Sequence, residues 1–383
     1  MNSVDYLDPE MGRLLRVLNG RPLMQLDQHR FLIGSHRGAR DLLRSSHVSS
    51  QVRASETTYE TEWDELSKDF FLFQDGDDHR QVRQILMPEL SARRSAEHEG
   101  WLREEARALK NQGTQFDLVL DVAVPLTTSV LERVIGVPAE VRREVSAFCA
   151  AMARPATDPG AVDVPRSAAS RVTHALSDIA STPGALPPGV LRTLLGSGVP
   201  TRSAVASCAL LVFAGFETTL NLFATAAHAA LSEPTLLAAL RSHSDRHARI
   251  DELIRLFGPA GLVQRRVLDP IAIDNHELQA DTRVLICLPA ANRDQSVFPN
   301  PDAFDPLRNT APHLSFAHGA HYCLGAELAR VQMTVLVEEI LLSDDELSLV
   351  AGSEPRWADK VLGRGLDRIM VCRRPAGLAD GRI

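Results

Sequence analysis

From Asp64 to Leu256 apolar residues recur at helical spacing, whereas strand-like alternation is confined to Arg30-Ile33 and to the stretch from Ile271 to Leu288. The pattern predicts a mainly α fold with a smaller β part. The longest apolar run, Ala204 to Leu231, is interrupted by Glu217, Thr218, Thr219, Asn221 and His228, which leaves it too broken for a membrane span. It predicts instead a long buried helix N-capped near Thr201. Pro- and Gly-rich breaks at Arg154-Pro165 and Thr182-Pro200 flank a helical stretch from Ser167 to Ile179, which predicts a lid held by mobile loops rather than a core element. No repeat and no low-complexity linker divides the 383 residues, so a single large domain over 1-383 is expected.

Composition narrows the partners. Hydrophobic residues make up 44% and aromatics only 5%, which suggests an aliphatic helical interior, and a net charge of -8 argues against nucleic acid. Cys149, Cys208, Cys287, Cys323 and Cys372 are odd in number, far apart and without Cys-x-x-Cys pairs, which points to a reducing cytoplasm. The opening Met1-Asn2-Ser3-Val4-Asp5 has an acid where an export signal carries Lys or Arg, so a cytoplasmic protein with no membrane partner is expected.

A lone cysteine is most often a small buried hydrophobe. Cys323 differs because it stands between Gly319 and Gly325, just ahead of the helical pattern Glu327-Leu328-Ala329-Arg330-Val331. Gly319 lets the loop turn, Gly325 lets the backbone approach a planar ring, and the positive end of the helix dipole favours a thiolate. Phe316-x-x-Gly319-x-His321-x-Cys323-x-Gly325 resembles the haem-ligand signature of the cytochromes P-450. The resemblance implies the cytochrome P-450 fold and heme b with iron ligated by Cys323, with Phe316 and Gly325 beside it.

Other segments follow the same family order. A charge inside an apolar helix needs a reason. For Ala214-Gly215-Phe216-Glu217-Thr218-Thr219 the plain one is a polar crevice and a Thr bonded back to its own helix; the sharper one is a helix loosened at Gly215 for oxygen activation. The segment resembles the family's Ala-Gly-x-(Asp/Glu)-Thr-(Thr/Ser), which implies that Thr218 hydrogen-bonds dioxygen and Glu217 passes protons. His79 and Arg83, four apart on one helix face, together with Arg265 and His321, resemble the donors to the two haem propionates. Glu252 and Arg255, at i and i+3, would ordinarily be a solvated pair; with Arg308 they resemble the family's buried Glu-Arg-Arg triad, a structural device. Departures occur at Leu90, at Gln295 and in Glu277-Thr282, where the usual turn residues are missing.

The resemblance implies a monooxygenase that oxidises an unactivated C-H bond. With no nucleotide or flavin module in the chain, electrons would come from a ferredoxin and its NAD(P)H-dependent ferredoxin reductase, docking behind the cysteine on a basic patch that Arg80 and Arg83 could extend. Leu210, Phe213, Leu262 and Val263, with the loop Tyr59-Trp63, are the substrate-wall candidates. Apolar walls suit a hydrophobic small molecule, free or carrier-protein-bound, such as a natural-product intermediate. Ring coupling, epoxidation and desaturation stay open, as does a haem-binding sensor without turnover. A zinc site from His313, His318, His321 and Cys323 is the weakest alternative, since its spacing fits no common finger.

Overall fold

The computed structural model describes residues 2-18, 21-51, 62-110, 113-153, 163-182, 184, 186-360 and 363-374. The helix Thr201-Ser232 runs through the middle, and its small Ala side chains are buried on every face. A helix that is apolar all round is stable only when wrapped by others. Helices Val124-Ile135, Ala139-Ala153 and Asp163-Ala180 pack on it, and Ala326-Leu336 lies on another side. The stretch is thus long and apolar enough to cross a membrane, yet it is mostly buried within the protein. Thr201 is the first helical residue rather than the cap; Pro200 occupies that position without a side-chain bond.

The lid expectation is corrected. The helix Asp163-Ala180 buries Ala168, Ala169, Val172, Leu176 and Ala180 in the main core, so one apolar face in four residues' spacing outweighs the loops at its ends. Residues 154-162 of the first break lie outside the described residues.

The β part lies to one side. A five-stranded sheet runs in the order Leu23-Gln25, Arg30-Ile33, Arg283-Cys287, Leu262-Val267, Val48-Ser49, with Arg30-Ile33 parallel to Arg283-Cys287 and the rest antiparallel. It covers a second core of Ile33, Leu42, Leu43, Val284, Ile286 and Leu314. The stretch from Ile271 to Leu288 proves to be a hairpin, Ile271-Ile273 with His276-Leu278, followed by the sheet strand. Asp274 and Asn275 turn that hairpin at positive φ (46° and 66°) and Asp281 does the same at 66°, which supplies the turns without the missing glycines. Gln115-Asp117, Met370-Arg374 and Glu346-Leu349 form a separate three-stranded sheet.

Candidate functional site

The loop between Ser315 and Gly325 delivers Cys323 to the start of the helix Ala326-Leu336, for which Gly325 is the N-cap residue. The Cys323 amide donates to the Phe316 carbonyl at 2.9 Å, folding the loop back on itself. Gly319 is required here: φ is 75°, and a Cβ would lie 2.3 Å from the Leu43 carbonyl oxygen. Beside Gly325 a Cβ would meet nothing within 4 Å, so the backbone there borders open space. Ala317 also has positive φ, 57°, a conformation that disfavours any residue with a Cβ. Ala317→Gly is therefore expected to raise the unfolding free energy by about 0.5-1 kcal/mol, checked by denaturant titration.

The thiol of Cys323 is exposed by area, yet burial among surrounding atoms raises its pKa, so it faces an internal cleft rather than bulk water. A Gly325 backbone bond and the charges of Arg83 and Arg330 oppose that shift without overcoming it. Burial thus shifts this thiol upward, where the helix terminus and the arginines favour a downward shift. A bound cation would reverse the balance, because a coordinating thiol is deprotonated outright.

Arg83, His79, Arg265 and His321 are linked to the cysteine loop and to one another through Asp75. Burial lowers the Arg83 pKa and the negative charge of Cys323 raises it, so the two groups sense each other across the site. His79 and His321 stack at 4.1 Å between ring centroids. Burial, then the neighbouring His321 and Arg83, pull His79 down to about 4, and its Nε2 is buried with no hydrogen-bond partner among the described residues. Arg265 is also buried, with its pKa lowered by burial and supported by the charge of Asp75. Its guanidinium donates to the Gln264 carbonyl at 2.7 Å. Two desolvated guanidiniums and an orphaned imidazole nitrogen above an inward-facing thiol fit a planar group with two carboxylates and a metal; this donor set fits haem.

The segment Ala214-Thr219 lies on the central helix, which packs against the helix Ala326-Leu336 that follows Cys323. Thr218 Oγ1 donates to the Ala214 carbonyl at 2.6 Å and Glu217 is fully buried. The helix is regular through this segment, which corrects the expectation of a loosened turn. Gly215 has another use: a Cβ there would lie 2.8 Å from Leu131 Cδ2, so its absence lets the helix Val124-Ile135 approach. Phe213 and Ala214 are half-buried at the edge of the main core, whereas Leu210 is sunk within it. Leu262 is exposed and Val263 packs against the second core. These four candidates thus do not share one environment. Tyr59 to Thr61 lie outside the described residues, as does the Trp63 side chain.

Beneath the loop, Glu252 and Arg255 form a fully buried bidentate pair at 2.7 and 2.8 Å. Arg308 adds a bond to Glu252 at 3.2 Å, and the Asp305 amide another at 3.0 Å. Arg255 also donates to the Asn292 carbonyl at 2.8 Å. The Asn292 side chain accepts from the Leu314 amide at 2.6 Å and donates to Ser315 Oγ at 2.8 Å, and Ser315 donates to the Ile254 carbonyl at 2.7 Å. Asn292 and Ser315 belong to segments that the sequence pattern marks, but no role is assigned to either from sequence; in the structure they connect the ion pair to the cysteine loop. His313 lies against Phe316 with the rings tilted, 5.7 Å between centroids, and no group of three metal-ligating side chains occurs among the described residues. The zinc alternative has no geometry behind it.

Comparison with known proteins points the same way. A family model described as Cytochrome P450 matches residues 196-344. The chain is 28% identical over 343 residues to the Biotin biosynthesis cytochrome P450 of Bacillus subtilis, covering 85% of each. It is 30% identical over 275 residues to the 20-oxo-5-O-mycaminosyltylactone 23-monooxygenase of Streptomyces fradiae, 70% of this chain and 65% of that one. Among solved structures, P450BioI in complex with an acyl carrier protein ligated to hexadec-9Z-enoic acid superposes with a TM-score of 0.84 at 24% identity, over 94% of this chain and 98% of that one.

Proposed function

The chain belongs to the cytochrome P450 superfamily and is a haem-thiolate monooxygenase, and from that premise we propose that it hydroxylates a largely apolar small molecule with electrons from a separate ferredoxin and reductase. The observation that carries this reading is the cluster at the cysteine loop, where Arg83 senses the Cys323 charge and His79 stacks on His321; buried Glu217 beside Thr218 on the central helix is assigned to the oxygen side. When bound, the haem supplies dioxygen activation at an iron made electron-rich by its thiolate. His79, Arg83, Arg265 and His321 are assigned to its propionates, and Phe316 and Gly325 to the proximal side.

Thr218 is the proposed proton-handling group on the central helix. Its hydroxyl hydrogen is committed to the Ala214 carbonyl, which fixes the oxygen's lone pairs in place to receive a proton or a hydrogen bond. Glu217 is the preceding residue and holds a carboxyl inside the protein, so it is assigned the proton supply. A passive haem binder would need neither.

Behind the loop a cleft of about 670 Å³ is lined in part by Arg40, His318, Tyr322 and Arg330. Arg330 is paired with Asp251 at 2.8 Å and with Glu327 at 2.7 Å, so much of the charge there falls to Arg40. We assign this face to the electron donor. Arg80, already paired with Asp77, adds little to the patch. The five cysteines are all unpaired, in keeping with a cytoplasmic location. A natural-product intermediate is the proposed substrate class, by analogy with the Streptomyces relative. The P450BioI likeness makes delivery on a carrier protein the second reading.

Thr218→Ala tests the assignment. The variant is expected to fold and bind haem, because Ala suits a helix interior, while product formed per NAD(P)H consumed falls by about tenfold or more and hydrogen peroxide rises. Coupling at the wild-type level in a reconstituted ferredoxin system would show that this residue is not the proton-handling device.

A further inference from the structure

Asp75 occupies the N-cap position of the helix Gly76-Leu86, yet its side chain caps nothing. An N-cap aspartate ordinarily accepts from the first free N-H groups of its helix. Here both oxygens turn the other way. Oδ2 accepts from Ser49 Oγ at 2.5 Å, and Oδ1 accepts from Ser50 Oγ at 3.0 Å and faces His321 Nε2 at 3.1 Å. Ser50 Oγ itself lies 2.9 Å from the same ring nitrogen. Burial alone would raise the Asp75 pKa, but bonds from His321, Ser49 and Ser50 hold it well below the usual carboxylate range.

We propose that Asp75 is a positioning residue for the haem's carboxylate edge, clasping the cysteine loop to the sheet edge through His321 and placing a fixed negative charge beside the propionates. The inference rests on the haem reading above. One carboxylate sets both imidazoles: His321 by direct contact, and His79, four residues further along the same helix, by the ring stack. It also reaches the third element. Ser49 pairs in the sheet with Arg266, next to Arg265 on the strand Leu262-Val267, and the Arg265 guanidinium is stabilised by the Asp75 charge. Strand, helix and loop, which carry the four propionate donors, therefore meet at this one side chain. Asp75 and Ser50 both engage Nε2, which fixes the orientation of the His321 ring.

The two consequences separate experimentally. Asp75→Ala removes clasp and charge; Asp75→Asn keeps one carbonyl oxygen to accept from His321 and Ser50, with its amide NH2 donating to Ser49 Oγ, but removes the charge. Transfer of haem from the purified holoprotein to apomyoglobin is expected to speed up by about tenfold or more in Asp75→Ala, the scale of one lost hydrogen bond to a charged group, and to stay within about threefold of wild type in Asp75→Asn. The ferric/ferrous midpoint potential is expected to rise in both, since a nearby negative charge favours the ferric form. Wild-type release from Asp75→Ala would overturn the clasp, and slower release would show Asp75 to be a competitor of the propionates instead. Should Asp75→Ala fail to accumulate, the Asp75→Asn potential decides: no shift overturns the proposal. The absorption of the wild-type protein in the same series keeps the readings apart. Its lack of a thiolate signature would sink the haem assignment, whereas a normal signature with unaltered release and potential sinks only the role of Asp75.

Discussion

Replacing Cys323 by Ala is expected to abolish the thiolate-type absorption of the reduced, carbon monoxide-bound protein and all oxygen-dependent turnover with it. No other cysteine can stand in. Burial pushes Cys149 up to about 12 and Cys287 up to about 11, and Cys208 is raised too and fully buried in the central helix. Such thiols are structural and inert. Cys372 is exposed but sits on the strand Met370-Arg374, opposite Ser348 and Gln115, without the arginines that share a cleft with Cys323. Since the Ala side chain leaves the Gly319 turn and the Phe316 backbone bond in place, the variant should stay folded, so that the spectrum and not the yield reports the ligand. An unchanged spectrum would remove the foundation of the haem reading.

Nearly as large an effect is expected at Glu252. Removing one member of a buried ion pair strands the other in a medium that solvates it poorly, at about 3-5 kcal/mol. Glu252→Ala leaves both Arg255 and Arg308 without their carboxylate, whereas Arg255→Ala leaves Glu252 still bonded to Arg308 and to the Asp305 amide. The Glu252 variant is therefore expected to be the more damaged of the two, with lost haem content and soluble yield in addition to lost activity. Denaturant unfolding and haem quantitation would check this, and normal haem loading in both would refute the structural role. The damage should pass to the cysteine loop through Asn292 and Ser315, which share bonds with the arginine on one side and with Leu314 and Ile254 on the other.

What the sequence revealed of this site lies within short windows. The ligand loop, the His79-Arg83 helix face and the Glu252-Arg255 pair each hold their typed residues within ten positions, where spacing fixes geometry. What it concealed spans elements. Asp75 and Ser50 meet His321 across 246 and 271 residues, and neither a serine at a strand end nor an aspartate before a helix looks unusual. Gly215 was misread for the same reason, because periodicity along one helix cannot show Leu131 on another. The helices were legible as a run of 3.6-residue spacing, whereas the three-residue strand Gln115-Asp117 acquires its identity only from Met370-Arg374, at the far end of the chain. The Ala317 backbone follows the loop's closure, not the residue's own preference.

The cysteine loop is pinned at both ends by parts of the chain that lie far from each other: Ser315 by Ile254 and Asn292, His321 by Ser50 and Asp75. In terms of recombination between related genes, these pins are not inherited as a block. A crossover placed between residues 76 and 251 joins one parent's Ser50-Asp75 anchor to the other parent's loop, while one between 256 and 291 splits the second anchor as well. Only an exchange confined to segments outside both pairs, such as the helices from Val124 to Ala180, moves material between parents while leaving the sulfur's mounting wholly from one of them.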